Sequence, residues 1–93
     1  MIIVMNKFIL SEYISAALSE ADYEKLEDNT YSGRIPSCKG VISFGETLEK
    51  CREELRSTLE DWILLGLKLK HHLPIIAGIN LNIEPKLEQM ESN

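Results

Sequence analysis

Tyr31-Ser-Gly-Arg-Ile-Pro36-Ser-Cys38-Lys-Gly40-Val-Ile-Ser-Phe-Gly45-Glu-Thr47-Leu-Glu49-Lys-Cys51 is the stretch whose reading decides the fold. An extended chain turns alternate side chains to opposite faces, so Tyr31, Gly33 and Ile35 point one way and Ser32 and Arg34 the other. Pro36 has no amide proton to give a sheet and stops the pairing. Cys38-Lys39-Gly40 makes a bend, and Val41 to Phe44 reads as a further strand ending at Gly45. Thr47 then offers a side-chain oxygen to the first free amides of a helix. Glu49 falls in the first turn, where the helix dipole favours a negative charge.

On the amino-terminal side, Tyr23 to Glu27 and Thr30 to Ile35 flank Asp28-Asn29, a pair that tolerates the positive backbone angles of a tight hairpin. Before them, Leu10, Tyr13, Ile14, Ala17, Leu18 and Ala21 recur at spacings of three and four, which predicts an amphipathic helix over 10–21 with Ser11 as its cap.

On the carboxy-terminal side the signal is strongest. Leu48, Cys51, Leu55, Leu59, Trp62, Ile63 and Gly66 keep helical spacing, and Glu49, Arg52, Glu53, Arg56 and Glu60 take the other face. Glu53 is placed to reach Arg56. From Trp62 to Leu67 the helix is apolar on nearly every side, which predicts burial all round. In so small a domain that surface is expected to meet a second subunit, with Trp62, Leu64, Leu65, Leu67 and Leu69 as the oligomer or partner contact. Pro74 ends the helical region, and Ile79-Asn80-Leu81-Asn82-Ile83 alternates as a fourth strand would.

The expected architecture is therefore α+β, an N-terminal helix followed by β-β-β-α-β, with a long helix packed on a small antiparallel sheet. Residues 1–83 make one domain, with 10–21 as the helix and 22–83 as the core, and 84–93 read as a flexible tail. The 93 residues carry 15 acidic and 10 basic side chains, a net charge of -5. That balance disfavours DNA or RNA binding by this chain, which needs clustered Lys and Arg, and suits a basic protein partner. Met1 to Met5 is apolar but too short for a signal sequence, and no apolar run reaches the roughly 18 residues of a membrane span. A cytoplasmic location without membrane attachment is expected, and two cysteines fit a reducing compartment.

Candidate chemistry is thin. Cys38, Cys51, His71 and His72 number four possible metal ligands, but they form no C-x-x-C pair and adjacent histidines of an extended segment diverge. Cys51 also falls on the core stripe of the helix, where a thiol acts as a small hydrophobe. Cys38 lies beside Lys39, which could activate it, yet no base or orienting group accompanies it. Glu24, Glu27, Asp28 and Glu46 lie near strand ends without converging on a pocket. Gly40 and Gly45 match neither dinucleotide nor P-loop spacing. No catalytic, cofactor-binding or metal residues are assigned, and the chain is expected not to be an enzyme.

The quoted stretch resembles the HicB family of type II antitoxins, whose core runs aromatic strand, Ile-Pro, a bend ending in Gly, a strand, Gly-Asp/Glu-Thr-Leu-Glu, and a long helix. The positions that match are Pro36, Gly40, Gly45, Thr47 and Glu49, and the likeness extends over about Tyr23 to Asn82. Asn29 stands where Gly is common, and Lys70 and His72 stand where a Gly and a Pro are expected near the helix exit. The resemblance implies a partial RNase H-like fold without nuclease function. It also implies a partner, a small HicA-type toxin that cleaves mRNA and is neutralised by masking. Family members commonly add a carboxy-terminal DNA-binding segment, for which the ten residues after Ile83 are too few. Two other readings remain: a stand-alone oligomeric adaptor without a toxin, and a degenerate RNase H-type hydrolase.

Overall fold

The computed structural model describes residues 7–82, and its elements run α1 (Lys7–Ser19), β1 (Asp22–Lys25), β2 (Tyr31–Arg34), β3 (Ile42–Gly45) and α2 (Leu48–Lys68). The class is α+β, as the sequence leads one to expect. Helix α1 starts earlier than the apolar spacing indicates, so Ser11 sits inside it and is not its cap. Tyr13, Ile14 and Ala17 are its buried side, and Leu10, Ala16 and Leu18 pack partly against the same core.

The three strands form an antiparallel meander in the order β1-β2-β3. The β1–β2 turn follows from its residues: Asn29 holds φ 70, the left-handed conformation Asn tolerates, and its amide donates to the Leu26 carbonyl at 2.9 Å. Asp28 Oδ1 accepts from both the amide and the hydroxyl of Thr30, at 3.0 and 2.6 Å, which draws its carboxyl below the usual range.

Helix α2 lies across the sheet and buries Cys51, Leu55, Leu59, Ile63 and Gly66. Thr47 caps it, its hydroxyl accepting from the Lys50 amide at 3.0 Å, and Glu49 occupies the first turn. Arg56 pairs with Glu60 at 3.2 Å, one turn further on, and not with Glu53. A Glu53–Arg56 pair would be an i,i+3 contact, whereas Arg56–Glu60 keeps i,i+4 spacing. Leu48, on the apolar stripe by spacing, is exposed because the stripe only meets the sheet from Cys51 onward.

The helix ends in a left-handed turn at Lys70, the position where the resemblance leads one to expect glycine. His71 N donates to Gly66 O at 2.8 Å and Lys70 N to Leu67 O at 3.2 Å, the two bonds of a Schellman motif, with Lys70 at φ 60. A lysine there carries a Cβ penalty that glycine avoids. Lys70→Gly is expected to stabilise the protein by about 0.5–1 kcal/mol, read as a higher midpoint in urea unfolding; an unchanged or lower midpoint would contradict the strained turn.

After α2 the chain turns back across the core. Leu73, Ile76 and Leu81 are buried, and Tyr13 Oη donates to the Pro74 carbonyl at 2.7 Å. Gly66 leaves the space that Leu73 fills, since a Cβ there would stand 2.7 Å from Leu73 Cδ2. The fourth strand expected at 79–83 is not formed among the described residues. A single antiparallel bridge joins Ile76 to Ile79 around Ala77 and Gly78, both at positive φ. The alternation of Ile79 to Asn82 reflects inward and outward side chains without a neighbouring strand. In place of a ladder, the Asn82 amide acts as a peptide mimic: its Oδ1 accepts from Leu73 N at 2.8 Å and its Nδ2 donates to Leu73 O at 2.9 Å. Ile83, the 84–93 tail and Met1 to Met5 lie outside the described residues.

Candidate partner-binding surfaces

The residues weighed for chemistry fall in different surroundings. Cys38 is buried beneath the bend after β2, and burial, with the Glu20 carboxylate nearby, pushes its thiol up to about 11. At neutral pH it is protonated, the wrong state for a nucleophile. Tyr13, buried beside it, is raised to about 12 by burial and by the charges of Cys38 and Glu20. Cys51 packs under the sheet, where Ser43 Oγ donates to its carbonyl at 2.9 Å and lies 3.4 Å from its sulfur. His71 and His72 are exposed at the helix exit. Among the described residues no three His, Cys, Asp or Glu side chains are grouped so as to hold a metal ion. Nor is any helix among them long and apolar enough to cross a membrane.

The sheet presents the less ordinary surface. The register aligns Tyr23, Gly33 and Ser43 in one row, and Glu24, Ser32 and Phe44 in the next. The first row faces α2 and the second faces away. In β3 this reverses the usual polarity of a half-buried strand: Ser43 is 2% exposed, while Ile42 is 52% and Phe44 63% exposed. The cause is the close approach of α2. A Cβ at Gly33 would stand 2.8 Å from the Tyr23 ring and 3.2 Å from Cys51 Sγ, so the strand beside β3 has no room for a side chain at this point. Ser43 takes the inward place against Cys51, and the large side chains of β3 go outward.

Around Ile42 and Phe44 the open face carries Asp22, Glu24, Ser32 and Arg34. Arg34 and Asp22 pair across strands at 3.9 Å with both side chains well exposed, a contact worth little in stability. Two apolar side chains amid polar neighbours make a patch of the kind that marks a protein contact. Sequence reading passes over it, because Val41-Ile-Ser-Phe44 says only that a strand is apolar and not which side is covered.

The five residues chosen from the sequence as contacts divide. Leu64, Leu65 and Leu69 are on the surface, 62%, 55% and 53% exposed, whereas Trp62 and Leu67 are half-buried and pack against the core. Within the single chain the core covers only one flank of α2 and leaves Leu64, Leu65 and Leu69 outside it. A third feature is a cleft of about 420 Å³ between α1 and α2, lined by Ser15, Leu18, Ser19, Tyr23, Arg52 and Arg56 with Glu53. The Arg52 guanidinium stands over the Tyr23 ring, 5.7 Å from its centre.

This arrangement of sheet and helix is shared with known proteins. The crystal structure of TTHA0281 from Thermus thermophilus superposes with a TM-score of 0.77 at 30% sequence identity, over 85% of this chain and 99% of that one. No curated protein sequence matches the chain. The profile of the UPF0150-like family matches residues 12–74, from α1 through the sheet and α2 to the Pro74 that Tyr13 anchors. With most of its elements inside that match, the chain belongs to the UPF0150-like family.

Proposed function

We propose that this protein is an antitoxin-like binding module of the cytoplasm that neutralises a small HicA-type, mRNA-cleaving toxin by covering it, and that it performs no catalysis itself. The observation that carries the reading is the inverted strand β3, which exposes Ile42 and Phe44 on the open sheet face, with Arg34 and Ser32 of β2 directly beside them and Asp22 and Glu24 of β1 one strand further. An exposed apolar pair suits the apolar centre of a protein contact, and a protein that handles RNA is basic, which suits the acidic balance of this chain. The UPF0150-like family includes HicB-type antitoxin-like proteins, which supports the same reading. The net charge of -5 would also draw a basic partner at long range.

The test is coexpression with the product of the neighbouring short reading frame. That product alone is expected to arrest growth, and this chain to restore growth and copurify with it. Phe44→Asp is expected to weaken the complex by roughly 100-fold while the circular dichroism stays that of the wild type, as for an aromatic anchor at the centre of a contact. A harmless neighbour would remove the antitoxin reading. Wild-type affinity in Phe44→Asp would move the contact away from the open sheet face.

A further inference from the structure

The outward side of α2 carries a pattern that the antitoxin reading does not use. At ~100° per residue, the buried stripe from Cys51 to Gly66 and the exposed set Asp61, Leu64, Leu65 and Lys68 fall on opposite sides of the helix. Within that set the order is acid, Leu, Leu, base, with Asp61 three residues before Leu64 and Lys68 three residues after Leu65. The pattern is therefore complementary to its own reversal. Asp61 and Lys68 are ~10.5 Å apart along the axis, too far to pair with each other. No ion pair to either is present among the described residues.

We infer that α2 packs against α2 of a second copy of this chain, antiparallel about a twofold axis between Leu64 and Leu65, with Asp61 of each copy facing Lys68 of the other. In that arrangement Leu64 of one copy meets Leu65 of its mate at the axis, and two identical ion pairs close the contact on either side. An isologous contact of this kind requires a surface that complements itself, and charge fixes its direction. A parallel pairing would set Asp61 against Asp61 and Lys68 against Lys68. The flank of the same contact is extended by Leu69, 53% exposed, and by the half-buried Trp62. A second copy fits better than an unrelated partner, because both signs of charge are placed symmetrically about the exposed leucines. The inference stands independently of the toxin, whose proposed contact is on the sheet.

Sedimentation of the purified full chain tests it. The wild type is expected to dimerise at micromolar to tens-of-micromolar concentration. Asp61→Lys and Lys68→Asp should each weaken the dimer by roughly 10-fold or more, since each places like charges at both ends of the contact. Mixing the two single variants should restore it, because each end of the mixed contact again sets a base against an acid. The double variant Asp61→Lys/Lys68→Asp should also return to near wild-type dimerisation. Both substituted side chains are exposed, so circular dichroism should be unchanged throughout. A wild type that stays monomeric at hundreds of micromolar overturns the inference, and so does a mixture no stronger than its components.

Discussion

Gly45→Ala is expected to destabilise the protein by about 2–4 kcal/mol, with a matching drop in the urea midpoint and an unchanged slope. A Cβ at this position would stand 2.5 Å from Cys51 N, 2.8 Å from Cys51 Cα and 2.9 Å from the Lys50 carbonyl carbon. All three are backbone atoms of α2, which cannot rotate aside as a side chain can. Either β3 or the first turn of the helix must move, and both are held by the Thr47 cap and by the Ser43 hydroxyl on the Cys51 carbonyl. Gly40→Ala is the control. Gly40 has open space around it, and its φ of +95 adds only a conformational cost of roughly 1–2 kcal/mol. Equal midpoints for Gly45→Ala and the wild type would mean that the strand and helix do not approach as closely as described.

Leu59→Ala is expected to cost about 3 kcal/mol or more, because Leu59 is fully buried at the middle of α2 and its truncation leaves a cavity between helix and core. Against a total stability of roughly 5–14 kcal/mol for a chain of this length, that is a large fraction, and the thermal midpoint should fall by over about 10 °C. Leu65→Ala, six residues along the same helix, should change stability by less than about 0.5 kcal/mol at concentrations where the chain is monomeric, since Leu65 is exposed. The contrast separates leucines that hold the fold from those free to hold a partner. A cost for Leu65→Ala equal to that for Leu59→Ala, in dilute protein, would place Leu65 in the core.

The helix-forming half of this protein is legible in the residues. The 3.6-residue spacing of Cys51, Leu55, Leu59, Ile63 and Gly66 finds α2, and Thr47 finds its start, because a cap acts over three residues and needs nothing distant. Asp28-Asn29 finds the hairpin for the same reason. The segment from Ile79 alternates as a strand does, but alternation records only inward and outward side chains, and the partner of the Leu73 backbone is the Asn82 side chain. Gly45 has the look of a turn glycine; in the structure it is instead a point of close backbone approach. The acid–Leu–Leu–base order of α2 is present in the sequence, but it gains meaning only once the core is known to cover the opposite side of the helix.

Sequence by itself determined the α+β class, the start of α2 and the β1–β2 turn, all of which follow from local periodicity, capping and backbone preference, whereas the helix stops at Lys68, short of the Pro74 that the sequence offers as its end. Tertiary structure alone decided that Ser43 goes inward and Ile42 and Phe44 outward, and that Leu64, Leu65 and Leu69 are left uncovered. The physical reason is that periodicity reports which side of an element is apolar, whereas what covers that side depends on how near its neighbours come. Here α2 comes so close at Gly33 and Gly45 that neither position has room for a Cβ.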